Sequence, residues 1–130
     1  MQARIQVNTK NAPAAFGPFS QAIKTDTMVF TSGQLPIDPE SGELVDEDVV
    51  VQTHQVFKNL KAILKEAGCS INDVVKATVF ITNMDDFVTV NEIYSTYFAS
   101  PYPARSCIEV PKLAKGAKVE IEAIALSKEF

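Results

Sequence analysis

The sequence predicts an α+β fold, with one mixed β-sheet and two α-helices packed on one of its faces. Three observations predict it. Short β-prone runs and two helical stripes follow one another in the order βββαβαββ along 130 residues. Each helical stripe is apolar on one side only. The run at 74–82 (Val-Val-Lys-Ala-Thr-Val-Phe-Ile-Thr) is β-prone and apolar on both sides over much of its length, which suits a central strand.

Residues 4–7 form a short edge strand. Asn11-Ala12-Pro13-Ala14-Ala15-Phe16-Gly17-Pro18 is a loop punctuated by Pro and Gly. Residues 19–24 and 28–32 are two strands joined at Thr25-Asp26-Thr27. Residues 36–42 are turn chemistry with no room for a ladder. The first helix starts at an Asp46 or Asp48 cap. Val50, His54, Phe57, Leu60, Ile63, Leu64 and Ala67 recur along it at three- and four-residue steps. Lys58, Lys61 and Lys65 take the opposite face, and Gly68 ends the helix. A second helix follows the central strand, capped by Asp85 or Asp86, with Phe87, Val90, Tyr94, Tyr97 and Phe98 as its stripe; Pro101 and Pro103 bar its continuation. Residues 104–110 alternate as a strand ended by Pro111, residues 112–117 are a loop, and residues 118–126 form the last strand. No repeat or linker interrupts the chain, so residues 1–130 read as a single domain. Two helices cover only one face of such a sheet. The outer face of the 74–82 strand therefore calls for another cover, and a sister subunit is the simplest supplier.

Composition narrows the function classes. With 46% hydrophobic and 22% charged residues, the chain has the makeup of an ordinary globular protein rather than a disordered one. Its net charge of -4, with scattered lysines and no basic run, argues against a nucleic-acid backbone as partner. The longest apolar runs fall far short of a membrane span. Met1–Val7 lacks the apolar core of a signal peptide. Cys69 and Cys107 make no disulfide framework and are expected as reduced thiols in a cytoplasmic protein. One histidine and two separated cysteines give no metal-ligand spacing, and neither a phosphate loop nor a dinucleotide fingerprint is present. A small site without cofactor remains the main enzymatic option.

Five places in the sequence could carry chemistry. Arg105, one of only two arginines, stands at the start of a strand behind a Pro-rich loop, where its fork suits a carboxylate; a salt-bridging surface arginine is the plainer alternative. Cys107 shares its face, roughly 7 Å along the strand. A guanidinium there could lower the thiol pKa, but the lone His54, placed on the apolar stripe of the first helix, reads as a packed core residue, so covalent catalysis lacks a base. Glu120 and Glu122 share one face of the last strand, and either could serve as a general base in a half-dry cleft or lie exposed at an edge. Asn91 falls on the buried stripe of the second helix, as a structural hydrogen bonder or a site residue. Ser32-Gly33-Gln34 ends a strand, where Gly33 would let a ligand approach the backbone or simply make a turn.

Several segments, taken in order, resemble the RidA/YjgF family of enamine and imine deaminases. They are Asn11-Ala12-Pro13 with Gly17-Pro18, Thr31-Ser32-Gly33-Gln34, Asn91-Glu92-Ile93-Tyr94, Pro103-Ala104-Arg105-Ser106-Cys107 and Glu120-Ile121-Glu122-Ala123-Ile124-Ala125. The resemblance spans Asn11 to Leu126. It implies a chorismate-mutase-like fold, a homotrimer with clefts between neighbouring subunits, and hydrolysis of short 2-imino acids such as 2-iminopropanoate and 2-iminobutanoate to 2-keto acids and ammonia, without a cofactor. By the same resemblance, Arg105 matches the arginine that holds the substrate carboxylate and Glu120 the glutamate that positions water, which chooses between Glu120 and Glu122. Ser32, Gly33, Asn91 and Cys107 match positions at or near the pocket. Phe19 departs from the family, which often has tyrosine after the Gly-Pro pair. The ring can still wall a cleft, but the hydroxyl is gone. Three other roles are consistent with such a chain: a metabolite-sensing regulatory trimer that binds keto acids in the same cleft, an RNA-cleaving protein, and a chaperone-like protein.

Overall fold

A computed structural model describes residues 3–127, so Met1, Gln2 and residues 128–130 lie outside the description. Its elements are β1 (Ile5–Val7), β2 (Ala22–Lys24), β3 (Met28–Thr31), α1 (Val49–Glu66), β4 (Val74–Ile81), α2 (Phe87–Tyr97), β5 (Ala104–Glu109) and β6 (Val119–Leu126). The predicted βββαβαββ order holds. The six strands form one sheet in the order β1-β2-β3-β6-β4-β5. All neighbours are antiparallel except β4 and β5, whose parallel pairing follows from the α2 crossover between them. The strand expected over residues 19–24 is shorter, beginning at Ala22, because Ser20 and Gln21 are spent on bonds to Ser32 and to the loop of residues 9–13.

Of the two proposed caps, Asp48 starts α1: its carboxylate accepts from Val50 N at 2.8 Å. Gly68, at φ +85°, ends it. Its N–H reaches Lys65 O and that of Cys69 reaches Leu64 O, the paired bonds of a Schellman ending. The buried face of α1 differs from the predicted stripe. It runs through Gln52, Thr53, Val56, Phe57, Asn59, Leu60, Ile63 and Leu64, while Val50 and His54 are exposed. The reason is hydrogen bonding: Gln52 and Asn59 are buried because loop groups await them. Gln52 donates to Asp46 O and accepts from Lys118 N, and Asn59 donates to Leu35 O and Ile37 O, all at 2.8–3.0 Å. His54 is thereby left at the rim, where its Nδ1 pairs with Tyr97 Oη at 2.6 Å, and is no core residue. Of the two predicted caps for the second helix, Asp86 holds the N-cap position but does not cap through its side chain. Asn83 caps the short turn of Met84–Asp86 that leads into α2.

Strand alternation sets the two faces of the sheet. Val119, Ile121, Ala123 and Ala125 of β6 are buried under the helices with Ala77, Val79 and Ile81 of β4. Phe57, Leu60, Ile63 and Leu64 of α1 join the same cluster. Full burial of each such side chain contributes about 1.5–3 kcal/mol. In β4 a bulge at Val75, between Val74 and Lys76, resets the alternation, so the adjacent valines partly reflect an extra residue. Both helices cover one face, as predicted. The other face presents Phe30, Ile108 and Leu126, each between 43% and 48% exposed, around Phe80, Thr78, Glu120, Glu122 and Ile124.

Candidate functional site

Arg105 and Cys107 stand on β5, the edge strand beyond β4. Their register partners are Ala77 and Val79, so both side chains point to the helix-covered side. There α2 meets the guanidinium. Arg105 Nη1 donates to Asn91 Oδ1 at 2.6 Å. Its Cζ lies 4.8 Å from the Tyr94 ring centroid and 5.6 Å from that of Phe87. Positions 87, 91 and 94 share one side of α2 because they lie four and three residues apart. Among the described residues no carboxylate pairs with Arg105: an amide and two ring faces hold it, and the charge remains uncancelled. Cys107 packs against the core edge. Burial pushes its thiol pKa up and outweighs the opposing pull of Arg105, so the thiol is protonated at neutral pH and poorly suited as a nucleophile.

Glu120 and its surroundings form a second group. Glu120 pairs in register with Phe80, which puts it on the uncovered face. Phe30 pairs with Ile124, and Gln34 bridges Ile121. Four residue steps on one strand therefore oppose three on the other, a bulge at residues 31–33 that turns Gly33 onto Glu120. Two bonds clamp the bulge, Gln34 N to Ile121 O (2.8 Å) and Ile121 N to Gln34 O (3.2 Å). Ser32 Oγ donates to Ser20 O at 2.5 Å and ties in the loop that carries the exposed Phe19 ring. Burial, then the neighbouring Glu122 charge, holds the Glu120 carboxyl above the usual glutamate range. No cation or hydrogen-bond donor meets it among the described residues.

The structure thus joins Asn91, Arg105 and Cys107 in one group, and Ser32, Gly33 and Glu120 in another, with Phe19 on the adjoining loop. It does not join the two groups within one chain. Arg105 and Glu120 lie on opposite faces, two strands (about 10 Å) apart across the sheet and three residues (about 10 Å) apart along it. Phe87 and Tyr94, apolar stripe residues by their spacing, also seat Arg105, a role that local pattern does not assign; their helical spacing with Asn91 is the available signal. Among the described residues no group of three or more His, Cys, Asp or Glu side chains could hold a metal ion.

Comparison with known proteins bears on this arrangement. A family profile described as Endoribonuclease L-PSP matches residues 9–127. The chain is 52% identical over 124 residues to the 2-iminobutanoate/2-iminopropanoate deaminase of Mus musculus, covering 95% of this chain and 92% of that one. The crystal structure of RidA from the Antarctic bacterium Psychrobacter sp. PAMC 21119 superposes with a TM-score of 0.91 at 47% identity, covering 95% and 99% of the two chains. That of E. coli TdcF with bound serine superposes with a TM-score of 0.90 at 43% identity and the same coverage. With matching motifs, fold and near-complete coverage, the chain belongs to the endoribonuclease L-PSP family, which is the RidA/YjgF family.

Proposed function

We propose that the chain hydrolyses short 2-imino acids, such as 2-iminopropanoate and 2-iminobutanoate, to 2-keto acids and ammonia, at sites completed between neighbouring copies in a homotrimer. The carrying observation is that, among the described residues, Arg105 has neutral partners only and Glu120 has no cation. Each group is left to act on something outside its own chain. One copy supplies Arg105, Asn91 and Cys107, and the next supplies Phe19, Ser32, Gly33 and Glu120. The exposed apolar residues of the uncovered sheet face support association between copies. The number three comes from the family resemblance. The deaminase name of the mouse relative and the serine bound to the E. coli relative support a small substrate of amino-acid type.

In this reading Arg105 grips the carboxylate through its fork and fixes the reactive carbon. A protonated imine is already an electrophile. Glu120 orients a water and takes its proton as the oxygen bonds to the C=N carbon. Glu120 returns that proton to the amino nitrogen of the tetrahedral amino alcohol and then takes the hydroxyl proton as the C–N bond breaks, the C=O bond forms and ammonia leaves; the ammonia carries the last proton away as ammonium and Glu120 is restored. A carboxylate with a raised pKa is the stronger proton acceptor, and general-base help of this kind supplies about 10²–10⁴-fold. The same reading takes residues 1–130 as one functional unit in the cytoplasm. Among the described residues, no helix is long and apolar enough to cross a membrane.

Phe19 favours one second reading. Without a hydroxyl at that position, the cleft could bind keto acids with little turnover, as a metabolite-sensing regulatory trimer. The net charge of -4 weighs against the RNA cleavage that the family description names. The test runs a pyridoxal-dependent threonine dehydratase with excess semicarbazide and follows semicarbazone formation. Wild-type chain should suppress trapping and Arg105→Ala should not. If neither suppresses it, with threonine- or serine-derived imine, the hydrolase reading fails; tight keto-acid binding without turnover would then select the sensor.

A further inference from the structure

Gly33 reads from sequence as a place that lets a ligand approach the backbone or makes a turn. The structure puts a side chain of the same chain, that of Glu120, against it. We propose that Gly33 is a positioning residue whose missing side chain is the seat of the Glu120 carboxylate. This rests on the reading of Glu120 as the group that orients water.

Space, not backbone conformation, requires glycine here. A Cβ built on Gly33 would lie 2.8 Å from Glu120 Cδ, 3.1 Å from Cγ and closer still to Oε2. Real Cβ atoms essentially never come as close as the Cδ and Oε2 contacts would be. Gly17, Gly42, Gly68 and Gly116 have positive φ, whereas Gly33 does not, so its φ is open to L-residues. The segment cannot step back either. Gln34 and Ile121 exchange both backbone bonds just beyond it, and Ser32 Oγ donates to the Ser20 carbonyl just before it. The carboxylate therefore occupies the space that a Cβ at Gly33 would take, beside a segment anchored on both sides. Its aim is set by packing, since no hydrogen bond or cation holds it among the described residues. The seat also keeps water from one side of the carboxylate, consistent with its raised pKa.

These facts make Gly33→Ala an informative probe. The methyl group meets the far end of a flexible side chain, so the fold should survive while Glu120 swings out. Glutamate carboxyls labelled with ¹³C would be titrated by NMR, with Glu120→Gln identifying the signal. In Gly33→Ala the Glu120 midpoint should fall toward the ordinary glutamate value as the carboxylate regains water; an unchanged midpoint overturns the seat. Turnover should drop about tenfold or more with KM nearly constant. Glu120→Asp, one methylene shorter, should cost at least about threefold less in the Gly33→Ala background than in wild type, and equal costs overturn the proposal. Should Gly33→Ala fold poorly, melting temperatures settle the matter. Gly33→Ala should lower Tm when Glu120 is present and not in a Glu120→Ala background; equal lowering in both overturns it. The titration and the melting cycle use no substrate, so they decide the seat even if the semicarbazide test removes the hydrolase reading.

Discussion

Arg105 and Glu120 carry opposite charges on opposite faces of the sheet, and the chain holds each by different means. Arg105 sits on an exposed edge strand and is held by contacts: an amide oxygen at 2.6 Å and two aromatic faces. Among the described residues no carboxylate pairs with it, so its charge stays available to a ligand. Glu120 sits on β6, paired on both sides, and is held by a missing Cβ and a bulge. Its ionisation is disfavoured by burial and by Glu122. A binding cation gains from exposure and neutral support, whereas a base gains from partial drying. One face of one small chain would have difficulty offering both. Two faces brought together from two copies offer both at once.

The largest expected effect tests the dry half. Glu120→Gln should reduce kcat about 10²–10⁴-fold with a modest change in KM, read by imine trapping. A loss below tenfold would make Glu120 a lining residue and erase the contrast. Arg105→Ala should lower kcat/KM by about 10²–10³-fold, as expected when two charge-assisted bonds to a carboxylate are lost. Arg105→Lys should recover only part, because the fork is gone. Mixing the two defective chains tests whether the halves belong to different copies. After unfolding and refolding at equal amounts, about a quarter of the sites should regain both intact halves if each site joins neighbours at random. Mixtures as inactive as their components would return both halves to one chain. Asn91→Ala should raise KM about 3–10-fold with little change in kcat, since one hydrogen bond that orients Arg105 is lost; a pure kcat effect would assign Asn91 to the chemistry instead.

The smallest effect concerns stability. Because the folded pKa of Glu120 is raised, folding favours its protonated form. The associated stabilisation is present below the ordinary glutamate pKa and fades as pH climbs through the raised value. Wild-type Tm should thus decline across that window more than the Tm of Glu120→Gln, which should equal or exceed wild type at neutral pH. Parallel pH curves would mean that Glu120 is hydrated in the assembled protein.

Much of this was legible in the sequence. The element order, the Gly68 ending, the central 74–82 strand and the two one-sided helices follow from periodicity and turn chemistry, which act over a few residues. The shared face of Arg105 and Cys107, and that of Glu120 and Glu122, follow from strand alternation alone. The resemblance in motifs added which residues to watch. Where the sequence misled, a distant partner was responsible. The buried face of α1 was set by carbonyls at residues 35, 37 and 46 that claimed Asn59 and Gln52, which turned His54 outward. Asp86 holds the N-cap position of α2 without a side-chain bond, because the turn before it is already capped by Asn83. Local pattern, in short, determined the strands, the helices and the candidate residues. Only the tertiary structure decided that Arg105 and Glu120 face apart, and that Gly33 lies under Glu120. Both depend on strand order and on a one-residue bulge between segments some ninety positions apart, and no local periodicity encodes such pairings.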